Sequence, residues 1–201
     1  MIITTAAFKG GVGKTTTAIH VAAFLQRDGD TLLVDGDPNR SATRWSKRGP
    51  GFLFKVVSEQ QAAKYGRSFK HIVIDTQARP EREDLQDLVD GCDLLILPTT
   101  PDVLSLDALM QTVDLMKVLG SQQYRVLLTR VPSAPRKDGA EARELLLTAG
   151  FPLFKGRIRE LVAFQKAALD GLTVAEVSDR RAKIAWSDYL TIGKEILDGS
   201  V

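Results

Sequence analysis

Phe8-Lys9-Gly10-Gly11-Val12-Gly13-Lys14-Thr15-Thr16 is the stretch that decides how this chain is read. An apolar run, Ile2-Ile-Thr-Thr-Ala-Ala-Phe8, leads into it, and a helical pattern from Thr15 to Asp28 leads out. Strand, glycine loop and helix follow in the order that a phosphate-binding loop requires. Glycines at 10, 11 and 13 let the backbone wrap closely, so successive N–H groups point at phosphate oxygens. The start of the helix adds its partial positive charge. In such a loop Lys14 reaches the β- and γ-phosphates and the Thr15 hydroxyl holds Mg2+. All of Lys9, Gly10, Gly11, Val12, Gly13, Lys14, Thr15 and Thr16 are expected to contact ATP. The usual pattern, G-x-x-x-x-G-K-[ST], is not strictly met. Phe8 stands where its first glycine belongs, and a second lysine, Lys9, opens the loop.

Outward from the loop, short apolar runs alternate with longer helical patterns. Thr31-Leu-Leu-Val-Asp35, His71-Ile-Val-Ile-Asp75, Asp93-Leu-Leu-Ile-Leu-Pro98 and Tyr124-Arg-Val-Leu-Leu-Thr129 join Ile2–Phe8 as strands buried on both faces. Phe52 to Val57 is a weaker run, expected at a sheet edge. Helices are expected at Glu81–Asp90, Ser105–Leu119, Gly139–Ala149, Arg159–Asp170 and Arg180–Asp198. Gly29, Gly91, Gly120 and Gly150 are expected to end helices in the left-handed conformation. The alternation predicts an α/β fold: a doubly wound, mostly parallel sheet flanked by helices, of the P-loop NTPase kind. No linker, repeat or low-complexity tract interrupts it, so residues 1–201 are expected to form one domain.

Acidic residues stand where strands should end. Asp35 and Asp37 close the second strand, in Leu32-Leu-Val-Asp35-Gly-Asp37-Pro-Asn39, and Asp75 closes the run from His71. Carboxylates at the C-terminal ends of parallel strands lie at the crevice where doubly wound proteins bind ligands. Asp37-Pro-Asn39 also reads as a turn, and the two readings are compatible.

With these residues in place, a resemblance becomes specific. K-G-G-x-G-K-T-T resembles the deviant Walker A loop of the ParA/MinD family of partition and positioning ATPases. Asp35-Gly-Asp37-Pro-Asn39 is similar to that family's D-x-D-P-Q, with Asn39 replacing glutamine. The resemblance implies that Lys9 crosses a sandwich dimer to phosphates bound by the partner. It implies that Asp37 orients the attacking water, that Asp35 contacts the Mg2+ water shell, and that Asp75 is the Walker B carboxylate. A cation supplied in trans makes dimerisation depend on nucleotide and stabilises charge on the γ-phosphoryl. The family's proline-rich switch after the Walker B residue reads Thr76-Gln-Ala-Arg79-Pro80 here, a departure that bears on the adaptor response. Pro98-Thr-Thr-Pro101 and Leu128-Thr-Arg130 resemble, more weakly, positions near the base and the dimer face.

The resemblance continues through Arg157-Ile-Arg-Glu160, Phe164-Gln-Lys-Ala167 and Gly171-Leu-Thr-Val174. It points to the short partition ATPases, since a loop opening at residue 9 leaves no room for an N-terminal helix-turn-helix. Short members bind DNA non-specifically as ATP dimers, through contacts that are phosphate-directed and salt-sensitive. Arg157, Arg159, Lys166, Arg180, Arg181 and Lys183 are the candidates here. The net charge of +2 is uninformative by itself. Between Tyr124 and Arg159, however, Arg125, Arg130, Arg136, Lys137, Arg143, Lys155, Arg157 and Arg159 face only Asp138, Glu141 and Glu144.

The lone cysteine, Cys92, fits a reducing compartment. No apolar stretch approaches the roughly 18 residues of a membrane span. The tail, Lys194 to Val201, has one base and two acids, so it lacks the basic face of an interfacial helix. Ala185, Tyr189, Gly193 and Ile196 recur at helical spacing and predict a helix packed on the core. The expectation is therefore a cytoplasmic, nucleoid-associated ATPase without a membrane partner. It would be a homodimer when ATP-bound and be stimulated by an adaptor protein while it positions a plasmid, chromosome or protein compartment such as the carboxysome. The alternative is an ATP-dependent ligase of the cobyrinic acid a,c-diamide synthase type, which shares the loop and the sheet. Such ligases normally carry a further domain, and Cys92 reads as a structural thiol.

Overall fold

The computed structural model describes residues 1–78, 82–118 and 123–199. Arg79, Pro80, Glu81, Leu119, Gly120, Ser121, Gln122, Ser200 and Val201 lie outside the described residues. The expected switch end and the expected helix limits at Glu81, Leu119 and Gly120 fall among them.

The strands are β1 (Ile2–Ala7), β2 (Thr31–Asp35), β3 (Lys55–Ser58), β4 (His71–Ala78), β5 (Leu94–Thr99) and β6 (Tyr124–Leu128). The helices are α1 (Lys14–Leu25), α2 (Ser41–Ser46), α3 (Glu59–Tyr65), α4 (Arg82–Asp90), α5 (Val103–Val118), α6 (Asp138–Thr148), α7 (Ala163–Asp170) and α8 (Arg180–Leu197). The strands pair in parallel in the order β3-β2-β4-β1-β5-β6. This is the doubly wound sheet that the alternating pattern predicts.

Alternate residues of each strand feed opposite apolar layers. Leu94 and Ile96 enter a layer with Ile19 of α1, Trp45 of α2, Ala167 of α7 and Ile192 of α8. Leu95 and Leu97 enter the other, with Val89 of α4, Leu109 of α5 and Leu146 of α6. Each such side chain contributes about 1.5–3 kcal/mol when fully buried. Gly193 lets α8 sit directly on α1, since a Cβ there would lie 2.2 Å from Phe24. Ala185, Tyr189 and Ile196 are buried along the same helix, as their spacing predicts.

Several expectations need correction. The edge strand is Lys55–Ser58, shorter than expected; Phe52 and Phe54, before it, stack on each other with ring centroids 4.8 Å apart. The helix expected from Arg159 begins at Ala163. The chain from Ile158 to Glu160 instead extends the sheet edge: Ile158 N–H donates to Leu128 O (2.9 Å) and Glu160 N–H to Val131 O (2.9 Å). Of the expected left-handed glycines, Gly150 has φ 76°, but Gly29 and Gly91 are not left-handed. Gly29 answers to crowding instead, since a Cβ there would lie 2.4 Å from Lys70.

Candidate functional site

The C-terminal ends of β1, β2 and β4 converge beneath the glycine loop. In register, Asp75 of β4 stands opposite Thr5 of β1 on one side and Asp35 of β2 on the other. The β1–β4 pairing shifts register between Thr5 and Ala7, just where the chain leaves the sheet for the loop. Gly13 precedes α1 with φ 88° and ψ 22°, a conformation that costs a residue bearing Cβ about 1–2 kcal/mol.

No side chain caps the start of α1. The start of α8, by contrast, is capped by Asp179, which accepts from Arg181 N at 2.6 Å. The uncapped end of α1 opens on a cleft of about 480 Å³, lined among others by Lys9, Lys14, Thr15, Thr16 and Asp37. An uncapped helix start beside a cleft is a natural seat for an anion.

Lys14 is buried, 7% exposed. Its Nζ donates to Asp75 Oδ1 (2.7 Å), to Asp37 Oδ2 (3.4 Å) and to the Thr76 carbonyl. Asp37 Oδ1 accepts from Asn39 N at 2.8 Å, the local bond of the expected turn. Asp35 turns Oδ2 to Thr43, accepting from its N–H (2.8 Å) and hydroxyl (2.6 Å). Asp35 Oδ1 and Asp75 Oδ2 are buried without a hydrogen-bond partner.

Burial pushes the Asp75 carboxyl above the usual carboxylate range, and the Lys14 ammonium and nearby Thr15 hydroxyl pull it the other way. Lys14 is thus shared between Asp75 and Asp37 while Thr43 holds Asp35, and this gathering of carboxylates suits a divalent cation. The donors are hard oxygens, which fits Mg2+. Among the described residues no three His, Cys, Asp or Glu side chains form a metal cage. Mg2+ ordinarily keeps several waters and takes phosphate oxygens, so this set remains a fit.

A second cleft, about 280 Å³, lies on the other side of the loop, between Gly11, Gly13 and Thr16 and the segment Ile158–Phe164. Thr129 and Arg130 brace the loop there. Thr129 Oγ1 donates to Val12 O at 2.6 Å, and Arg130 Nη1 donates to Gly11 O at 3.3 Å. Arg130 adopts φ 48°, strained for a side chain of its size.

Lys9 lies at the open end of the loop. It donates to Asp102 Oδ1 (2.8 Å) and Ser105 Oγ (3.0 Å), and its side chain is 33% exposed. The sequence reading did not identify Asp102. The available signal is local: an Asp three residues before Ser105 at the start of a helix pattern marks an N-cap.

The basic candidates differ in whether a partner already holds them. Arg159 is committed to the buried Asp188, with Nη2 2.6 Å from Oδ1. Arg157, Lys166, Arg180, Arg181 and Lys183 are exposed. Within the basic stretch from Tyr124, Arg130 pairs with Glu160, Arg136 pairs with Asp138, and Arg143 donates to Phe154 O. Much of that local excess is therefore already answered. Cys92 is buried, and burial raises its thiol pKa, as suits a structural residue.

Residues 3–174 match the profile of a family described as the CobQ/CobB/MinD/ParA nucleotide binding domain. The chain belongs to that family. "Maintenance of carboxysome distribution protein A" of Gloeobacter kilaueensis is 35% identical over 194 residues, covering 94% of this chain and 90% of that protein. Two solved structures share the fold at low identity. An ATP complex of Cyanothece McdA has a TM-score of 0.76 at 15% identity, covering 98% of this chain and 96% of its own. An AMPPNP-bound plasmid partition protein of Borrelia burgdorferi B31 has a TM-score of 0.75 at 19% identity, covering 98% of each. The chain is thus a ParA/MinD-type ATPase of the P-loop class and an ATP binder. Among its described residues no helix is long and apolar enough to cross a membrane.

Proposed function

We propose that this ParA/MinD-type ATPase forms an ATP-dependent sandwich homodimer, binds DNA non-specifically, and positions a cargo whose adaptor stimulates hydrolysis. The cargo we favour is a carboxysome-like protein compartment, because the 35%-identical relative that covers nearly the whole chain is named for carboxysome distribution. The observation that carries the reading is the contrast within one loop. Lys14 is enclosed by carboxylates, while Lys9 stands at an open face where a second copy could meet it.

Each residue then has a task. The loop N–H groups and Lys14 hold the polyphosphate, with Lys14 leaving Asp75 for the β- and γ-phosphates. Thr15, Asp35 and Asp75 are the residues that would hold Mg2+ beside the phosphates. Held there, the ion would offset charge on the phosphate oxygens. Asp37, freed of Lys14, orients water towards the γ-phosphoryl. Lys9 of the other copy adds positive charge as that group leaves. The 280 Å³ cleft takes the nucleoside, with Arg130 and Glu160 at its rim.

Arg180 and Arg181 stand at the start of α8, where the helix dipole disfavours cations. Their placement gives no local stability, which suits residues kept for an external anion. The test combines ATPase assays, with and without DNA, and retention on random-sequence DNA. Retention that requires ATP and is lost in Lys9→Ala supports the proposal; retention indifferent to nucleotide, or none, contradicts it.

A further inference from the structure

Lys9 already has a partner of its own, and that partner is built into the fold. Asp102 is the residue before α5, and its Oδ1 accepts from Ser105 N at 3.1 Å, as an N-cap does. Its Oδ2 accepts from the Thr100 hydroxyl (2.5 Å) and the Ser105 hydroxyl (2.8 Å). Both oxygens are therefore fixed by Thr100 and Ser105 whether or not Lys9 is present. Lys9 is the movable member, on a flexible four-carbon stem.

We propose that Asp102 is a positioning residue for Lys9: an internal counter-ion that holds it until nucleotide on a second copy displaces it, and so sets the nucleotide threshold for self-association. The inference rests on the reading of Lys9 given above. Burial works to raise the Asp102 carboxyl, but hydrogen bonds from Lys9, Thr100 and Ser105 outweigh it and hold the group well below the usual carboxylate range. Asp102 thus stays charged across the working pH range.

The pair is also easy to break. The two side chains are 33% and 51% exposed, so water and salt screen their attraction. A triphosphate carries several charges against one carboxylate and outcompetes it for Lys9. A diphosphate lacks the terminal group that Lys9 would meet and competes less well. Directly after Asp102, Val103 and Leu104 are 71% and 70% exposed, an apolar pair beside the lysine that a docking copy would cover.

Asp102→Asn tests this. The amide oxygen still accepts from Ser105 N, so the cap is preserved while the charge is lost. Self-association is followed by sedimentation velocity with AMPPNP and with ADP. Asp102→Asn is expected to associate at about two- to five-fold lower protein concentration than the parent protein. The gap between AMPPNP and ADP should narrow, and the shift should fade near 1 M salt. In a Lys9→Ala background the same substitution should change nothing.

An unchanged or weakened association in Asp102→Asn, with Lys9→Ala still unable to associate, overturns the counter-ion while leaving the role of Lys9 intact. If Lys9→Ala associates as readily as the parent, both fall. Should Asp102→Asn unfold, Ser105→Ala removes a hydroxyl that holds both Asp102 and Lys9, and is expected to shift association in the same direction by less.

Discussion

The two ends of the phosphate loop treat the same kind of side chain in opposite ways. At one end Lys14 is enclosed by Asp75, Asp37 and a backbone carbonyl, with almost no access to water. At the other, Lys9 meets one half-exposed carboxylate. A charge that must act within its own chain is fixed by buried partners, and losing it disturbs both fold and chemistry. On the reading proposed for Lys9, a charge meant for another molecule is held loosely, and its loss is felt only on assembly.

The sharpest break comes at the buried end. Lys14→Ala is expected to reduce ATP hydrolysis by about 10²-fold or more, because it removes the charge closest to the transferred group. It should also destabilise the nucleotide-free protein by about 3–5 kcal/mol, read from urea midpoints, because buried carboxylates are left unpaired. Lys9→Ala should abolish ATP-dependent association yet change monomer stability by under about 1 kcal/mol. If the two lysines instead gave equal stability losses, the contrast would be gone.

Behind the loop, His20 lends the buried side its own pH signature. It stacks on Tyr189 at 4.8 Å, its Nδ1 lies 2.7 Å from Thr16 O, and its Nε2 accepts from Val174 N at 3.1 Å. Burial lowers its pKa from 6.5 to about 4, the Thr16 bond opposing. The unfolded chain therefore binds the proton first. Stability from this group is whole above pH 6.5 and is lost as pH falls towards 4. Between pH 7 and pH 5 the loss should be about 2 kcal/mol, and His20→Gln should flatten that slope.

The smallest effects belong to the exposed arginines and lysines. Neutralising Arg180, Arg181 and Lys183 together should lower the slope of log DNA affinity against log salt by up to about 3, roughly 0.9 for each phosphate no longer neutralised. Stability should hardly move. An unchanged slope would place the DNA face elsewhere.

The same contrast explains what could be read from the sequence. Strand, loop, helix and terminal carboxylates were legible because buried parallel strands demand continuous apolar runs, and because the loop backbone demands glycine at defined positions. Asp35, Asp37 and Asp75 converge as their strand-end positions imply. The short helices α2 and α3 left no apolar period long enough to find. The tie between Lys9 and Asp102 spans 93 residues and could not be seen before the sheet order was known. Arg159 read as a candidate for DNA because its acceptor, Asp188, lies 29 residues away on α8.

The central claim is that Lys9 works on a neighbour's nucleotide, and mixing two inactive variants tests it most directly. Lys9→Ala keeps Asp37 but cannot supply the lysine; Asp37→Ala supplies the lysine but cannot orient water. In a symmetric pair, only the mixed dimer assembles one complete site. Mixed in equal amounts, the two should show ATPase activity that neither shows alone, up to about half of the parent rate per chain, because each mixed pair holds one complete site of two. A mixture no more active than the sum of its separate parts would show that Lys9 acts within its own chain or not at all.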